Sequence, residues 1–546
     1  MSFLDAVFML AWGNVDHAPD TPQEDSMTYR SPGSPRSDRP ATLGALKEAG
    51  FQHVSVKDEI RRNVIARLHA GEPLFPGIVG YDETVVPQIV NALLSKHDFI
   101  LLGLRGQAKS RILRELPRFL DEWTPAIAGS PVRDDPFRPA SRKGKAMAAE
   151  MGNELPIAWL HRDERYAEKL ATPDVTMADL IGDIDPIKAA VQKRTYADEE
   201  IIHYGIIPRM NRGIFAINEL PDLQPRIQVG LLNIMQEKDV QIRGFEVRIP
   251  MDLLLVYSAN PEDYTNRGNI ITPLKDRIGS QIVTHYPKDL QTALSITRQE
   301  AWTERKGEVT TVVPPSYLEI VEEAALQARR SEFVDQSSGV SVRLTITLLE
   351  NLVSNLERRG LRSEETVVWA RIADLWPATS AMTGKVELVY EGEQEGITKV
   401  ARHLLGKAVR AVFLRTFPEV YDEKEKPRQR PERRPKAPGA SLASEEATAE
   451  EPSPYKRVTG WFASGKTVVL SDETPFAEHV AALRQVEGLE EVAREHAGAA
   501  SDEELACAME LVLEGLHQCS LIGKEDMDGR SLYSDMLGRV LSQLDR

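Results

Sequence analysis

Short apolar runs alternate with amphipathic segments through the first half of the chain. Phe99–Leu102 and Leu253–Tyr257 have the length and continuity of strands buried on both faces, and Gly213–Ile217 has the same character. Between the runs, apolar residues recur at helical spacing, as they do from Ile227 to Met235. This alternation predicts an α/β fold in which helices cover a parallel sheet.

The pattern changes after Lys288, beyond which we expect the strands to stop. Helical periodicity dominates there, for example over Tyr317–Arg329 and Thr345–Arg358, and predicts a helical lid domain. The last part of the chain, Tyr455–Arg546, begins with a hairpin-like stretch and continues as an amphipathic helix over Glu503–His517. We therefore expect a small, mostly helical C-terminal domain.

Two low-complexity segments set the predicted domain boundaries. The N-terminal one is rich in Pro, Ser, Asp and Arg, and the second has a basic half followed by an acidic half, with prolines and little that a core could bury. We interpret that basic half as a solvated tether in preference to a nucleic-acid contact. The predicted division is a disordered extension (1–41), an α/β domain (42–288), a helical lid domain with an extension (289–421), a charged disordered linker (422–454) and a hairpin-plus-helical domain (455–546).

Composition and charge are those of a soluble globular protein, since 42% of the 546 residues are hydrophobic and 27% are charged. The net charge of −16 argues against a whole surface that binds nucleic acid. No apolar run approaches the roughly 20 residues that cross a bilayer, and Met1–Trp12 lacks the basic start of a secretory signal. Cys507 and Cys519, the only cysteines, have no metal-ligand spacing, so we expect free thiols and a cytoplasmic protein.

Two segments match the phosphate-binding pattern G-x-x-x-x-G-K-[ST]. In this pattern the backbone N–H groups of a glycine loop surround phosphates, the lysine neutralises them and the hydroxyl binds Mg²⁺. Gly460–Thr467 matches the pattern fully, whereas Gly103–Ser110 has Ala108 in place of the last glycine. A working loop of this type needs a buried strand before it and a helix after it.

The imperfect match has that context. Phe99–Leu102 supplies a strand before it, and Lys109–Leu120 supplies an amphipathic helix after it. We expect Ala108 to be tolerated if it avoids the positive φ that is open chiefly to glycine. We therefore assign the phosphate-binding loop to Gly103–Ser110.

The perfect match lacks the context. The residues after it, Val468–Glu473, read as a short strand and a turn where a helix is required. Trp461 and Phe462 would also crowd a loop whose backbone approaches a ligand, and a Ser-Gly pair inside the segment fits a hairpin turn. We interpret Gly460–Thr467 as a hairpin.

Polar residues end the second and third predicted strands. Glu219 can act as the base that polarises water, and Asn218 can hold a Mg²⁺-bound water without contributing the charge of the usual aspartate. Asn260 ends the third strand, where a carboxamide can point at a γ-phosphate. Arg277 and Arg343 offer two arginines that can reach phosphates, one across a subunit interface and the other from the helical lid.

The order of these motifs resembles the MoxR and magnesium-chelatase ATPase-subunit branch of the AAA+ ATPases, over roughly Pro76–Arg358. MoxR-like proteins commonly carry Ala-Lys in the P-loop, as Ala108 and Lys109 do here. Gly77–Tyr81 resembles the family's segment that lies against the adenine, and Leu180–Asp185 and Tyr204–Pro208 resemble the two ends of the family's insertion. Arg212–Phe215 resembles the approach to the metal-site strand, and Gln241–Pro250 resembles the hairpin before the third strand.

The resemblance implies a P-loop NTPase sheet, ATP and Mg²⁺ as ligands, and a ring, expected to be a hexamer, that remodels or activates a partner protein. A von Willebrand A-domain protein is the expected partner. By the resemblance Asn260 is sensor 1, Arg277 the arginine finger and Arg343 sensor 2, with Glu219 as the catalytic base. The candidate nucleotide-binding residues are Ile78, Val79, Gly103, Gly106, Gln107, Ala108, Lys109, Ser110 and Arg111, and the candidate Mg²⁺ residues are Ser110 and Asn218.

Two alternatives remain open at this level. Asn218 and Ala108 favour a nucleotide-gated binding module that hydrolyses slowly or not at all. The chain can also be the motor subunit of a chelatase that inserts Mg²⁺ or Co²⁺ into a tetrapyrrole, an activity that would belong to partner subunits. A transcription activator for an alternative sigma factor is disfavoured because the Gly-Ala-Phe-Thr-Gly-Ala loop of those proteins is absent. The chain also lacks the Asp-x-Ser-x-Ser motif of a von Willebrand A domain, so we expect such a domain on a separate protein.

Overall fold

A computed structural model describes residues 39–184, 201–242, 248–260, 269–418, 420, 454–471, 473–527 and 530–536. The predicted N-terminal extension up to residue 38 and the predicted linker at 422–453 lie outside these residues, as does the tip of the predicted hairpin at 243–247. The strands, numbered in chain order, are β1 (Phe99–Leu102), β2 (Trp123–Ile127), β3 (Ile157–His161), β4 (Tyr166–Leu170), β5 (Gly182–Ile184), β6 (Ile202–Tyr204), β7 (Gly213–Asn218), β8 (Asp239–Gln241), β9 (Arg248–Pro250), β10 (Leu253–Ala259), β11 (Ser280–Val283), β12 (Thr310–Val312), β13 (Val367–Trp369), β14 (Val468–Ser471), β15 (Gly523–Met527) and β16 (Arg530–Ser534).

A five-stranded parallel sheet in the order β11-β1-β10-β7-β4 forms the centre of the first half of the molecule. The three predicted strands are its three inner members. Their side chains alternate between two hydrophobic clusters, so that Ile214 and Ala216 pack on one face while Phe215 and Ile217 pack on the other. Burial of both faces is why these strands read as unbroken apolar runs. The α/β P-loop NTPase fold predicted from the sequence is confirmed.

Helices cover this sheet and then build the second half of the described chain. The longest of the first group, α2, begins after Ser55, whose Oγ accepts a hydrogen bond from the Asp58 N–H, and ends at Gly71, where φ is 66°. The α-helices, again in chain order, are α1 (Leu43–Glu48), α2 (Val56–Ala70), α3 (Val85–Leu94), α4 (Lys109–Glu115), α5 (Arg142–Met151), α6 (Met177–Leu180), α7 (Ile206–Arg209), α8 (Pro225–Glu237), α9 (Thr272–Arg277), α10 (Leu290–Glu300), α11 (Pro315–Arg330), α12 (Arg343–Ser363), α13 (Ile372–Ala378), α14 (Ser380–Thr383), α15 (Tyr390–Glu395), α16 (Ile397–Thr416), α17 (Lys456–Ala463), α18 (Phe476–Arg484), α19 (Leu489–Ala497) and α20 (Asp502–Gln518).

The second half is mostly helical, but the expectation that strands stop after Lys288 is wrong. Strands β12 and β13 pair in parallel beside α12, and β14, β16 and β15 form an antiparallel sheet in the C-terminal region. Strand β14 lies where Val468–Glu473 reads as a short strand, whereas β12 and β13 have three residues each, which is too short for a periodic pattern to identify. One hydrophobic cluster runs from Ala301 to Tyr533, so the predicted lid and C-terminal regions share a core.

The segment Gly460–Thr467 is not a hairpin, which corrects the interpretation from sequence. Helix α17 runs through Gly460 to Ala463, a turn follows with Gly465 at φ 81°, and β14 comes next. Trp461 and Phe462, which we expected to crowd a ligand-binding loop, are buried residues of α17. The segment therefore has a helix where a P-loop requires a strand and a strand where it requires a helix. No helix among the described residues is long and apolar enough to cross a membrane.

Candidate nucleotide site

The loop after β1 has glycines where neighbouring groups leave no room for a side chain. A Cβ on Gly103 would lie 1.9 Å from Thr284 Oγ1 and 2.2 Å from Gln107 Oε1. Gly106 has φ 73°, and a Cβ there would lie 2.1 Å from Ser341 Oγ. The backbone turns tightly here and leads directly into α4, which places the loop at the N-terminus of a helix, where an anion is stabilised.

Ala108 occupies the backbone conformation that we expected it to avoid. Its φ is 54° and its ψ is 14°, in the left-handed region, at the N-cap of α4. Ala108 adopts this conformation where the loop after β1 enters α4, and an L-residue with a Cβ does so at a cost of about 1–2 kcal/mol. The expectation was therefore wrong, while the helix still begins at Lys109.

The amino group of Lys109 lies in a buried hydrogen-bonded chain at the carboxyl edge of the sheet. Nζ donates to Leu104 O at 2.9 Å, to Gly103 O and to Asn260 Oδ1 at 2.6 Å. Asn260 Nδ2 in turn donates to Glu219 Oε2 at 2.8 Å. Three segments that are up to 151 positions apart meet in this way because β1, β7 and β10 end at the same edge.

Glu219 has a second unusual feature, a left-handed backbone with φ 55° and ψ 50°. It follows the last residue of β7 and precedes the short 3₁₀ turn Leu220–Asp222. Non-glycine residues held in this region cost on the order of 1–3 kcal/mol and cluster at functional sites. The strain accompanies a carboxylate that is aimed at Asn260 instead of continuing the strand direction.

Asn218 is buried, and its Oδ1 accepts a hydrogen bond from Ser258 Oγ at 3.0 Å. Ser110 is half-buried in the first turn of α4. Both candidate Mg²⁺ residues are neutral, and no group of three or more His, Cys, Asp or Glu side chains in the described ranges is arranged to hold a metal ion. This donor set fits Mg²⁺ held chiefly by phosphate oxygens and water, with the hydroxyl and the carboxamide as supporting ligands.

A cleft beside the loop brings together many of the predicted nucleotide-binding residues. Tyr81 closes one side of it, since its hydroxyl donates to Gln107 O at 3.1 Å and to His285 O at 2.7 Å, and burial raises the pKa of this phenol to about 12. The lining includes apolar residues from three other segments, Pro287, Ile296 and Ile346. The predicted residues that line the cleft are Ile78, Val79, Gly106, Gln107, Ala108, Arg111 and Arg343.

The two predicted arginines have different surroundings. Arg343 begins α12 and lines the cleft together with Ile78. Arg277 lies at the end of α9 and donates to Gln236 Oε1, Pro273 O and Asp276 Oδ2, none of which belongs to the cleft or to the Lys109 chain. Arg343 therefore lies at the cleft, whereas Arg277 lies on the surface of the same chain, outside the cleft.

Sequence reasoning missed the segment that follows β11. Thr284 Oγ1 donates to Gln107 Oε1 at 2.7 Å, its N–H donates to Leu102 O at 2.7 Å, and His285 contacts the Tyr81 ring edge-on at 5.0 Å. Because parallel strands end at one edge, a strand assigned to Ser280–Val283 would have pointed to these residues. Gln299, which donates to Gly77 O at 2.8 Å and lines the cleft, carries no signal in the sequence.

Comparison with known proteins gives similar structures at low identity. No family model matches the chain. A complex of subunits BchI and BchD of magnesium chelatase is 21% identical, with 59% of this chain and 98% of that chain covered and a TM-score of 0.32. A protein from Cytophaga hutchinsonii that is provisionally assigned as an ATPase is 16% identical, with 67% and 97% covered and a TM-score of 0.27.

NtrX from Brucella abortus is also similar, at 12% identity, with 53% of this chain and 55% of that chain covered and a TM-score of 0.30. Magnesium chelatase is one of the two groups that the motif order resembles. At these identities and TM-scores, what the chain does has to be inferred from its own residues.

Proposed function

We propose that the chain is an AAA+ ATPase of the MoxR and magnesium-chelatase ATPase-subunit type, which binds ATP with Mg²⁺ at Gly103–Ser110 and hydrolyses it. The observation that carries the proposal is the hydrogen-bonded chain from Lys109 through Asn260 to Glu219, at the edge of the sheet where β1 opens into α4. This chain joins a cation for phosphates, a carboxamide and a base within one buried group of side chains.

Each residue has a distinct task in the proposed reaction. Lys109 exchanges its backbone carbonyl partners for phosphate oxygens, while Asn260 holds the Glu219 carboxylate in place through its Nδ2 donor. Glu219 then orients a water molecule for in-line attack on the γ-phosphorus and accepts its proton, while the bond from that phosphorus to the β,γ-bridging oxygen breaks and ADP leaves. Mg²⁺, when bound with the nucleotide, neutralises charge on the phosphate oxygens.

ATP turnover by the wild type and by Glu219→Gln tests the proposal. Loss of a general base lowers turnover by about 10²–10⁴-fold, and glutamine keeps the hydrogen bond with Asn260, so nucleotide binding should persist. Turnover that is unchanged in Glu219→Gln would contradict the assignment of the base. Nucleotide binding without turnover in the wild type would support the alternative of a nucleotide-gated module, which the neutral Asn218 favours.

We also propose that the protein assembles into a ring, in which Arg277 reaches the nucleotide of a neighbouring subunit. Its exposed position outside the site of its own chain supports this role. Mixing two inactive variants provides the test: Arg277→Ala retains a complete cis site, and Lys109→Ala retains the arginine. Partial recovery of turnover in the mixture is expected, with a larger particle in gel filtration when ATP and Mg²⁺ are present. A monomer under both conditions would contradict the ring.

Action on a partner protein, with a von Willebrand A-domain protein as the class implied by the motif resemblance, is the remaining part of the proposal. The expected result is stimulation of wild-type turnover by the partner and none of Glu219→Gln. A partner that binds both variants without changing turnover would contradict remodelling driven by ATP.

A further inference from the structure

Arg105, inside the phosphate-binding loop, makes its contacts with the helical half of the protein. Its Nε donates to Ser338 O at 3.3 Å, Nη2 hydrogen-bonds Ser338 Oγ, and Nη1 pairs with Glu387 Oε1 at 2.7 Å. Ser338 is buried, whereas Arg105 and Glu387 are about half-exposed. Hydrogen bonding from Ser338 and the charge of Arg105 lower the pKa of the Glu387 carboxyl. We call Arg105, Ser338 and Glu387 the loop clamp.

Close backbone packing accompanies the loop clamp. Gly339 has φ 70°, and a Cβ there would lie 2.7 Å from Tyr286 Oη and 2.9 Å from Leu104 Cδ1. The contact between Gly106 and Ser341 is closer still, since a Cβ on Gly106 would lie 2.1 Å from Ser341 Oγ. The phosphate-binding loop and residues 338–341 are therefore packed closely at both glycines, so a shift of one segment requires a shift of the other.

Tyr286 connects the phosphate-binding loop with Arg329. Its hydroxyl donates to Arg105 O at 3.0 Å, and its ring lies 4.3 Å below the guanidinium of Arg329. Arg329 donates to Val340 O from two nitrogens, at 3.2 and 3.3 Å. Residues 338–341 lead directly into α12, whose first residue, Arg343, lines the nucleotide cleft.

We infer that Arg105 is a positioning residue that couples nucleotide binding at the phosphate-binding loop to the placement of α12 and Arg343, through Ser338 and Glu387. This inference rests on the proposed function, since it concerns the same nucleotide. Each of the three guanidinium nitrogens of Arg105 bonds Ser338 or Glu387, so the arginine holds the loop against the segment that leads into α12 instead of serving as a second cation for the phosphates.

A double-mutant cycle on nucleotide affinity tests the inference. Arg105→Ala and Glu387→Gln should each weaken binding of a fluorescent ATP analogue by roughly threefold to tenfold, and the double variant should be no weaker than the worse single one. Arg105→Lys keeps the charge but not the forked geometry, so it should restore affinity only in part. The thermal unfolding midpoint should stay unchanged, which separates positioning from a general loss of structure.

The matched control is Arg114→Ala, which removes an exposed arginine of α4 whose partner is Glu168, away from the loop clamp. It should bind nucleotide as the wild type does. Tighter binding by Glu387→Gln would show that Arg105 contacts phosphates and would overturn the inference, as would additive losses in the double variant or unchanged affinity in Arg105→Ala. If Lys109→Met binds nucleotide as tightly as the wild type, the proposed function is contradicted as well. If Lys109→Met loses affinity while the Arg105 and Glu387 variants keep it, the proposed function holds and only the inference about Arg105 is overturned.

Discussion

Lys109 and Lys466 each follow a glycine-containing turn, and the two lysines have opposite surroundings. The Lys109 amino group is buried where three parallel strands end, and it hydrogen-bonds Asn260 and backbone carbonyls. Lys466 is about half-exposed, pairs with Glu487 at 3.3 Å and lies 5.5 Å from the Trp461 ring centre. In the better match to the motif, the lysine therefore lies at the surface in an exposed ion pair, away from any strand end of the parallel sheet.

The order of the flanking elements explains the difference. A strand that opens into a helix directs the loop N–H groups and the helix N-terminus toward one point at the edge of a sheet. Helix α17 followed by β14 directs the chain the other way, and the carboxylate that pairs with Lys466 is that of the exposed Glu487. A motif identifies a site only together with the elements that orient it.

The largest expected effect comes from removing each lysine in turn. Lys109→Met should weaken nucleotide binding by on the order of a hundredfold or more, because charge-assisted hydrogen bonds contribute about 1.5–3 kcal/mol each. Methionine retains the buried stem, so the fold should persist. Lys466→Met should bind as the wild type does. Titration with a fluorescent ATP analogue checks both variants, and loss of binding in Lys466→Met would reverse the site assignment.

The parallel-sheet region around Lys109 and the C-terminal region around Lys466 also differ in the surroundings of their acidic side chains. Glu219 stands at the edge of the sheet, but Glu510 of α20 is fully buried, accepts hydrogen bonds from Tyr317 Oη and the Ile372 N–H, and has its pKa raised by burial to about 7. With an unfolded pKa near the usual 4.5, the stability from protonated Glu510 is present below that value and is lost as the pH rises through about 7.

Glu510→Gln should therefore unfold less readily than the wild type at pH 8, by about 3 kcal/mol, with the gap closing toward pH 5. Denaturant unfolding at the two pH values measures it. Glu503→Gln, on the same helix, should follow the wild type. Nucleotide affinity should be unaffected by Glu510→Gln, since Glu510 contacts no residue of the cleft among those described. An equal pH dependence in Glu510→Gln and wild type would contradict the assignment.

Replacing Asn218 by aspartate, the residue usual at this position, tests whether residue 218 faces the metal ion at the edge of the sheet. Asn218→Asp should lower the Mg²⁺ concentration for half-maximal turnover, on the order of tenfold, because a charged carboxylate attracts the ion more strongly than the neutral carboxamide does. Ser258→Asp is a control of the same charge at the hydroxyl that donates to Asn218. If Asn218→Asp left the Mg²⁺ dependence unchanged, residue 218 would not face the metal.

The smallest effect should come from completing the imperfect motif. Ala108→Gly relieves the left-handed strain but adds the entropy of glycine to the unfolded state, so a gain of at most about 1 kcal/mol in unfolding free energy is expected. Lys238→Gly, at another left-handed helix end, is the comparison. A large change in nucleotide affinity in Ala108→Gly would mean that the methyl group itself affects the ligand.

The parts of the fold that were predictable are those where local pattern and tertiary environment agree. The inner strands β1, β7 and β10 are apolar because both their faces are covered. Strands β4 and β11 were missed because they form the sheet edges, where most side chains are partly or fully exposed and polar residues break the apolar run. The roles of Arg277 and Arg343 stay predictions, although Arg343 does line the cleft.

The sequence by itself determined the α/β class, the three inner strands and the strand-to-helix context that selects Gly103–Ser110 over Gly460–Thr467, because each is a local pattern of polarity and glycine placement. Only the tertiary structure decided that Asn260 bridges Lys109 and Glu219, that Ala108 is left-handed and that Arg105 reaches Ser338, which is 233 positions away in the chain. Such contacts depend on how strands order in the sheet and how α12 packs on the loop, and no local pattern records them.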